Sequence, residues 1–200
     1  MNHTRALAEM AAGLNLADIP SPVIERAKLH ILDALGLGLA ASREDFGLSA
    51  ATGIIAMAGA GECAVICRSE RLPPRDAAML NGILVHGLDF DDTHLASIIH
   101  PTCTALPAAL ALGEALDRSG EQLLTAFIAG AETGIRIGAA LRQPRQPGLL
   151  HGKVEDSFLK DLPSNQCTAR SMPKRFLARS TNSWPKVTPP STTARLLHSR

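Results

Sequence analysis

The sequence predicts an all-α fold, and three observations carry that prediction. Apolar residues recur at helical spacing between residues 4 and 142, as in Leu7, Met10, Ala11 and Leu14, or Val23, Ala27, Ile31, Ala34 and Leu35. Aromatic residues make up only 3% of the 200 and Tyr is absent, so apolar volume must come from Ala, Leu, Ile and Val, which suits closely packed helices. Pro and Gly cluster between the periodic stretches, at Ile19-Pro20-Ser21-Pro22, Gly59-Ala60-Gly61 and Leu72-Pro73-Pro74.

Residues 4–14 read as a short amphipathic helix. Ser21 reads as the N-cap of a second helix, with Pro22 at its first position, where a missing N–H costs nothing. That helix runs to about Ala41, and its second half, Ala34 to Ala41, is apolar all round, which predicts burial on every side. Gly36 and Gly38 lower its propensity, and close helix–helix contact is the expected compensation. Residues 47–59 form another helix of small side chains, and Cys63 to Cys67 a short strand or extended connector. A helix from Arg75 to Leu88 follows, then a loop, then a helix opened by Pro101 or Pro107 and running to about Leu116. The last predicted helix spans Glu121 to about Leu141, with Leu123, Phe127, Ile128, Ala131, Ile135 and Ile137 on its core face.

After Gln143 the character changes. Residues 1–150 hold 11 basic and 16 acidic side chains, residues 151–200 hold 9 and 3, and from Ser164 onward every charge is basic. Ser, Thr and Pro are frequent there and no apolar period lasts, so residues 144–200 are expected to be an irregular, disordered tail behind a helical domain at 1–143. The tail lacks aromatic interleaving, so no nucleic-acid partner is expected. The four cysteines lack zinc-ribbon spacing and read as small hydrophobes in a reducing compartment. The N-terminus has no secretory h-region, and the longest apolar run, Leu29 to Ala41, is interrupted by His30 and Asp33. A cytoplasmic protein without a membrane partner is the expectation.

Chemistry concentrates in Asn81-Gly82 through His86, Asp89-Phe90-Asp91-Asp92-Thr93-His94 and His100-Pro101-Thr102. Charged side chains where an apolar helix ends need partners, and such crowding shifts pKa values in the way acid–base catalysis uses. If the helix continued to Thr93, then His86, Asp89 and Thr93 would share one face, with Asp91 and Asp92 pointing elsewhere. One Asp can then face a cleft while another caps a helix or pairs with a base. His100, before Pro101, stands at the start of the next helix, where the dipole favours an anion. As a pattern alone, an Asp-rich turn reads equally well as a set of solvated caps. A metal site from His86, Asp89, His94 and His100 lacks any established spacing, so no metal and no other cofactor is expected. His30 reads as a core or rim residue.

Asn81-Gly82, His86 and Asp89-Phe90-Asp91-Asp92-Thr93 together resemble the hallmark segment of the MmgE/PrpD family. Glu25 to Gly36 and Ser119 to Gly138 resemble two of its helices, so the resemblance covers about residues 5–142. It implies the N-terminal helical domain of a two-domain lyase, dimeric in its full-length members. Such lyases act on small di- or tricarboxylates, as in 2-methylcitrate dehydration or cis-aconitate decarboxylation, without an iron–sulfur cluster. Carried over by position, Asp89 and His100 are the catalytic pair and Thr93 holds a substrate carboxylate. Within the same segment, His86 and Asp92 are expected to be further substrate-binding residues. The loop from Thr93 to His100 is one residue longer than the family pattern.

The His-Thr-Gly segment that the family carries after its long helix is absent at Gly148 to Glu155, as are a later Lys and Tyr. The resemblance therefore leads to the expectation of a truncated or frameshifted product with little turnover alone. The competing expectation is a non-catalytic helical module that pairs with a full-length homologue.

Overall fold

A computed structural model of the chain describes residues 2–142. The tail expected at 144–200, with His151 and Cys167, lies outside the described residues.

Helix α1 (His3–Gly13) is capped by Asn2, whose side-chain oxygen accepts from the Arg5 N–H at 3.1 Å. Leu7, Met10, Ala11 and Leu14 are its half-buried face, as the spacing predicts. After a 3-10 turn at Leu16–Asp18, helix α2 spans Ser21–Ala41. Its cap is Pro20, one residue earlier than expected: the Pro20 carbonyl accepts from Val23 and Ile24, and Ser21 makes no capping bond. Helix α3 (Asp45–Met57) leads into a minimal antiparallel hairpin, β1 (Cys63–Ala64) with β2 (Arg71–Leu72). Pro73 then caps helix α4 (Pro74–His86). Pro101 opens helix α5 (Pro101–Ala115), leaving Pro107 inside it, and helix α6 spans Gly120–Arg142.

Helix α4 packs on α5, α5 on α6, and α2 across all three. Val23, Ala27, Ala34, Val85, Leu106, Phe127, Ile128 and Ile135 form one buried cluster, and Ala51, Ile54, Val65, Leu72, Leu80 and Leu84 a second under the hairpin. The expected core face of α6 holds at Phe127, Ile128, Ala131 and Ile135, but Ile137 is exposed, and Ala139 is buried further along the helix. Helix α6 is long and apolar enough to cross a membrane by length and composition, a candidate the apolar runs of the sequence do not show. The face holding Phe127, Ile128, Ala131 and Ile135 fills the core, while Ile137 and Leu141 are exposed.

Two expectations about α2 and α4 need correction. The second half of α2 is not buried all round: Leu39 is 51% exposed, Gly36 meets nothing within 4 Å, and Leu29 and Leu32 face outward on the same stripe. Only Gly38 makes the expected close contact, since a Cβ there would lie 2.7 Å from Ile66 Cδ1. Helix α4 stops at His86, so no helix carries His86, Asp89 and Thr93 on a common face.

The Asn81-Gly82 pair is architectural. Asn81 is buried, accepts from the Ile66 N–H at 2.9 Å and donates to the Ala64 carbonyl at 3.0 Å, tying α4 to β1. A Cβ on Gly82 would lie 3.1 Å from the Cys103 carbonyl oxygen, so the glycine sets how closely α5 approaches α4. That approach places the end of α4 beside the start of α5.

Candidate active site

The site lies between the C-terminus of α4 and the N-terminus of α5. Asp89 adopts φ +56°, in the left-handed region where Asp is tolerated better than most residues, and its N–H bonds the His86 carbonyl at 2.7 Å. That reversal ends the helical path and turns Asp91 inward.

The returning loop closes on itself. The His94 N–H donates to the Ile99 carbonyl at 2.9 Å, the Ile98 N–H to the His94 carbonyl at 2.8 Å, and His94 Nδ1 stands 2.7 Å from Ser97 Oγ. The loop lies against α6, where a Cβ on Gly138 would come within 2.7 Å of Ser97 Cβ. His100 thereby becomes the N-cap residue of α5, as expected, although its side chain makes no capping bond.

Four side chains meet here. His86, Asp89, Asp91 and His100 each offer one donor atom within 4.8 Å of the others. Asp91 is the hub: His86 Nδ1 lies 3.0 Å from Oδ1 and 3.1 Å from Oδ2, and His100 Nδ1 lies 3.3 Å from Oδ1. The two rings meet edge to face with centroids 4.8 Å apart. Asp89 Oδ1 stands 4.0 Å from His100 Nε2, and its side chain is 81% exposed against 29% for His100. The cluster thus joins one buried carboxylate, two partly exposed imidazoles and one exposed carboxylate.

The expected site residues divide. His86, Asp89 and His100 come together. Asp92 is buried with its carboxylate 3.8 Å from His30 Nδ1, toward α2. Thr93 is half-buried beside it in the chain. His30, read as a core or rim residue, is therefore a partner of the acidic segment. Asp91, placed elsewhere by the helical assumption, is the residue the sequence reading missed. The signal was Gly87 directly after His86, a helix-stop residue.

Burial pushes the Asp92 carboxyl above its ordinary range, with the His30 imidazole and the Thr102 hydroxyl opposing. Burial likewise lowers His30, against the pull of Asp92. Cys103, whose Sγ lies 3.2 Å from the His100 carbonyl oxygen, is pushed up to about 12 by burial first and the Asp91 carboxylate second. It is not a nucleophile poised for thiolate chemistry. Two imidazoles and two carboxylates are a donor set that also suits a divalent transition ion. The set differs from the one considered in the sequence: Asp91 belongs to it, and His94 turns to Ser97 instead.

The model of the MmgE/PrpD N-terminal domain family matches residues 5–154, somewhat beyond the stretch that carries the resemblance. The chain is 35% identical over 147 residues to the cis-aconitate decarboxylase-like protein oryM of Aspergillus oryzae, covering 70% of this chain and 30% of that protein. It is 32% identical over 143 residues to cis-aconitate decarboxylase of Aspergillus terreus, covering 69% and 29%. Against cis-aconitate decarboxylase of Homo sapiens it is 36% identical over 179 residues, covering 86% and 32%. The chain therefore spans only about a third or less of the length of these relatives.

Proposed function

Because this chain belongs to the MmgE/PrpD family, we propose that its α4–α5 junction is the acid–base part of a lyase site for a small di- or tricarboxylate. The observation that carries the reading is the pairing of exposed Asp89 with His100 Nε2 at 4.0 Å, above a buried Asp91. That separation exceeds a hydrogen bond, so an atom of a bound ligand can be reached by both groups.

The relatives' names favour decarboxylation of cis-aconitate over dehydration of 2-methylcitrate. In such a reaction a carboxylate leaves as CO₂, and the electron pair of the broken carbon–carbon bond must be balanced by one proton delivered to carbon. Protonated His100 delivers that proton, and Asp89 restores or orients it. The start of α5 and the imidazoles supply positive potential, and Thr93 donates to a carboxylate. Ion pairs to Asp89, Asp91 and Asp92 come from imidazoles, so neutralising a tricarboxylate calls for further cations. Little turnover is expected of this chain alone.

Calorimetry with cis-aconitate tests the reading. Saturable binding that weakens at least about tenfold in His100→Gln is expected, since that variant removes a charge-assisted contact worth about 1.4 kcal/mol or more, whereas Asp89→Asn, which removes a negative charge facing an anionic ligand, is expected to bind at least as well. Undiminished affinity in His100→Gln, or no saturable binding, overturns it. Turnover by the purified chain at the rate of a whole family enzyme overturns the expectation of incompleteness.

A second reading, a helical module that pairs with a longer homologue or a second copy of itself, is favoured by the outward stripe of Leu29, Leu32 and Leu39 on α2. Co-purification lost in Leu32→Glu supports it, and a monodisperse monomer removes it.

A further inference from the structure

We infer that Asp91 is a positioning residue that holds both His86 and His100 with hydrogen on Nδ1, so that each ring presents Nε2 to the ligand. The inference deepens the reading of His100 as a proton donor, because an imidazolium that gives up its Nε2 proton is left as the neutral Nδ1–H ring, and it rests on that reading for the identity of the ligand alone.

The argument begins with the carboxylate. Its side chain is 1% exposed, and an ionised carboxylate is an acceptor only. Two imidazole nitrogens face it, His86 Nδ1 at 3.0 Å and His100 Nδ1 at 3.3 Å. A neutral imidazole carries one N–H. Were it on Nε2, the Nδ1 lone pair would point at oxygen lone pairs at these distances, which is repulsive. Hydrogen on Nδ1 turns both approaches into attraction, and the carboxylate then fixes the tautomer as it does in other oriented histidines.

The two grips differ. His86 Nδ1 makes a well-aligned hydrogen bond, and reaches both carboxylate oxygens. His100 Nδ1 is buried and close, but off the line of a hydrogen bond. His86 therefore anchors Asp91, and Asp91 steers His100 with room for a small ring rotation when a ligand arrives. Outward, His100 Nε2 stands 4.0 Å from the solvent-screened Asp89 carboxylate, farther than the 3.3 Å between Nδ1 and the buried Asp91 carboxylate, so the nearer and drier carboxylate sets the tautomer. Among the described residues, the other titratable groups that act on Asp91 and its neighbours are Asp92 beside it in the chain and the Cys103 thiol from α5. Neither offers a competing cation.

Long-range proton–nitrogen NMR on the histidine rings of the full chain, at a pH where they are neutral, reads the tautomer directly. The expected result is hydrogen on Nδ1 in both His86 and His100. Hydrogen on Nε2 of His100, the form a free side chain prefers, overturns the inference. In Asp91→Asn the amide NH₂ can donate to Nδ1, so His100 is expected to switch to the Nε2–H form, and Asp91→Glu to restore the Nδ1–H form. A folded Asp91→Asn that keeps hydrogen on Nδ1 of His100 also overturns it. If Asp91→Asn does not fold, the native chain and Asp91→Glu still decide. One zinc or manganese ion per purified chain, found by elemental analysis, would assign the Nδ1 atoms to a metal and overturn it as well. None of these readouts needs turnover, so the reading of the reaction can fail while this stands.

Discussion

Asp89 and His100 approach to 4.0 Å across the gap between two helices, one at the exposed rim and the other half-sheltered behind it. Neither belongs to the helical part of α4: the first follows its last turn and the second caps α5. Their meeting depends on how closely α4 and α5 pack, on the reversal at Asp89 and on the seating of the returning loop.

The packing of α4 makes Asn81 a test of the scaffold. Replacing Asn81 by Ala leaves the Ile66 N–H and the Ala64 carbonyl without their partner. A loss of about 2–6 kcal/mol in unfolding free energy is expected, at about 1–3 kcal/mol for each of the two orphaned groups. Urea denaturation measures it, and a loss under about 0.5 kcal/mol, the range of a neutral surface change, contradicts the clamp.

The loop makes Ile98 a second test. It holds φ +52° with a side chain 65% exposed, an uncommon state for a β-branched residue. Ile98→Asn relieves that strain with little packing lost, so a gain of about 1 kcal/mol in thermal or urea unfolding is expected. Gly138→Ala acts in the other direction, because the new methyl group meets Ser97 and shifts the loop; a loss of about 1–3 kcal/mol is expected.

Helix α6 carries a fully buried ion pair, Glu132 with Arg136, at 2.7–2.8 Å. Glu132→Ala removes the carboxylate partner of a buried guanidinium and is expected to cost about 3–5 kcal/mol. Chemical denaturation of this variant against the native chain gives the figure, and a change within about 0.5 kcal/mol rejects it.

His30 and Asp92 shape the response to pH in opposite ways. Burial sets the folded pKa of His30 below its ordinary 6.5, so the unfolded chain takes up the proton first as pH falls. The stability His30 contributes is full above that value and is lost as pH falls below it. Asp92 is raised above its ordinary 3.8, so its contribution is present at low pH and is lost as pH rises through the folded value. Between about pH 7.5 and about pH 5.5 the native chain should lose more stability than His30→Asn. Parallel curves for the two proteins contradict the assignment.

Much of the helical frame is legible in the sequence, because apolar spacing and Pro breaks act locally. Pro101 at the start of α5 and Phe127, Ile128 and Ile135 on the buried face of α6 are examples. The site is less legible. Spacing arguments follow one helical path, and the left-handed Asp89 leaves that path, exchanging the inward places of Asp89 and Asp91. The pairing of His30 with Asp92 joins α2 to a distant loop, which no local pattern encodes. The exposure of Leu39 and Ile137 follows from which neighbours cover each face, a property of the packing and not of hydrophobicity.

Titration of the chain with cis-aconitate, followed through the ring-nitrogen resonances of His100, tests the central claim most directly. The account predicts a saturable shift at His100 Nε2, accompanied by changes at Asp89 and Thr93. Saturating shifts confined to other parts of the molecule, with His100 unmoved, would contradict it.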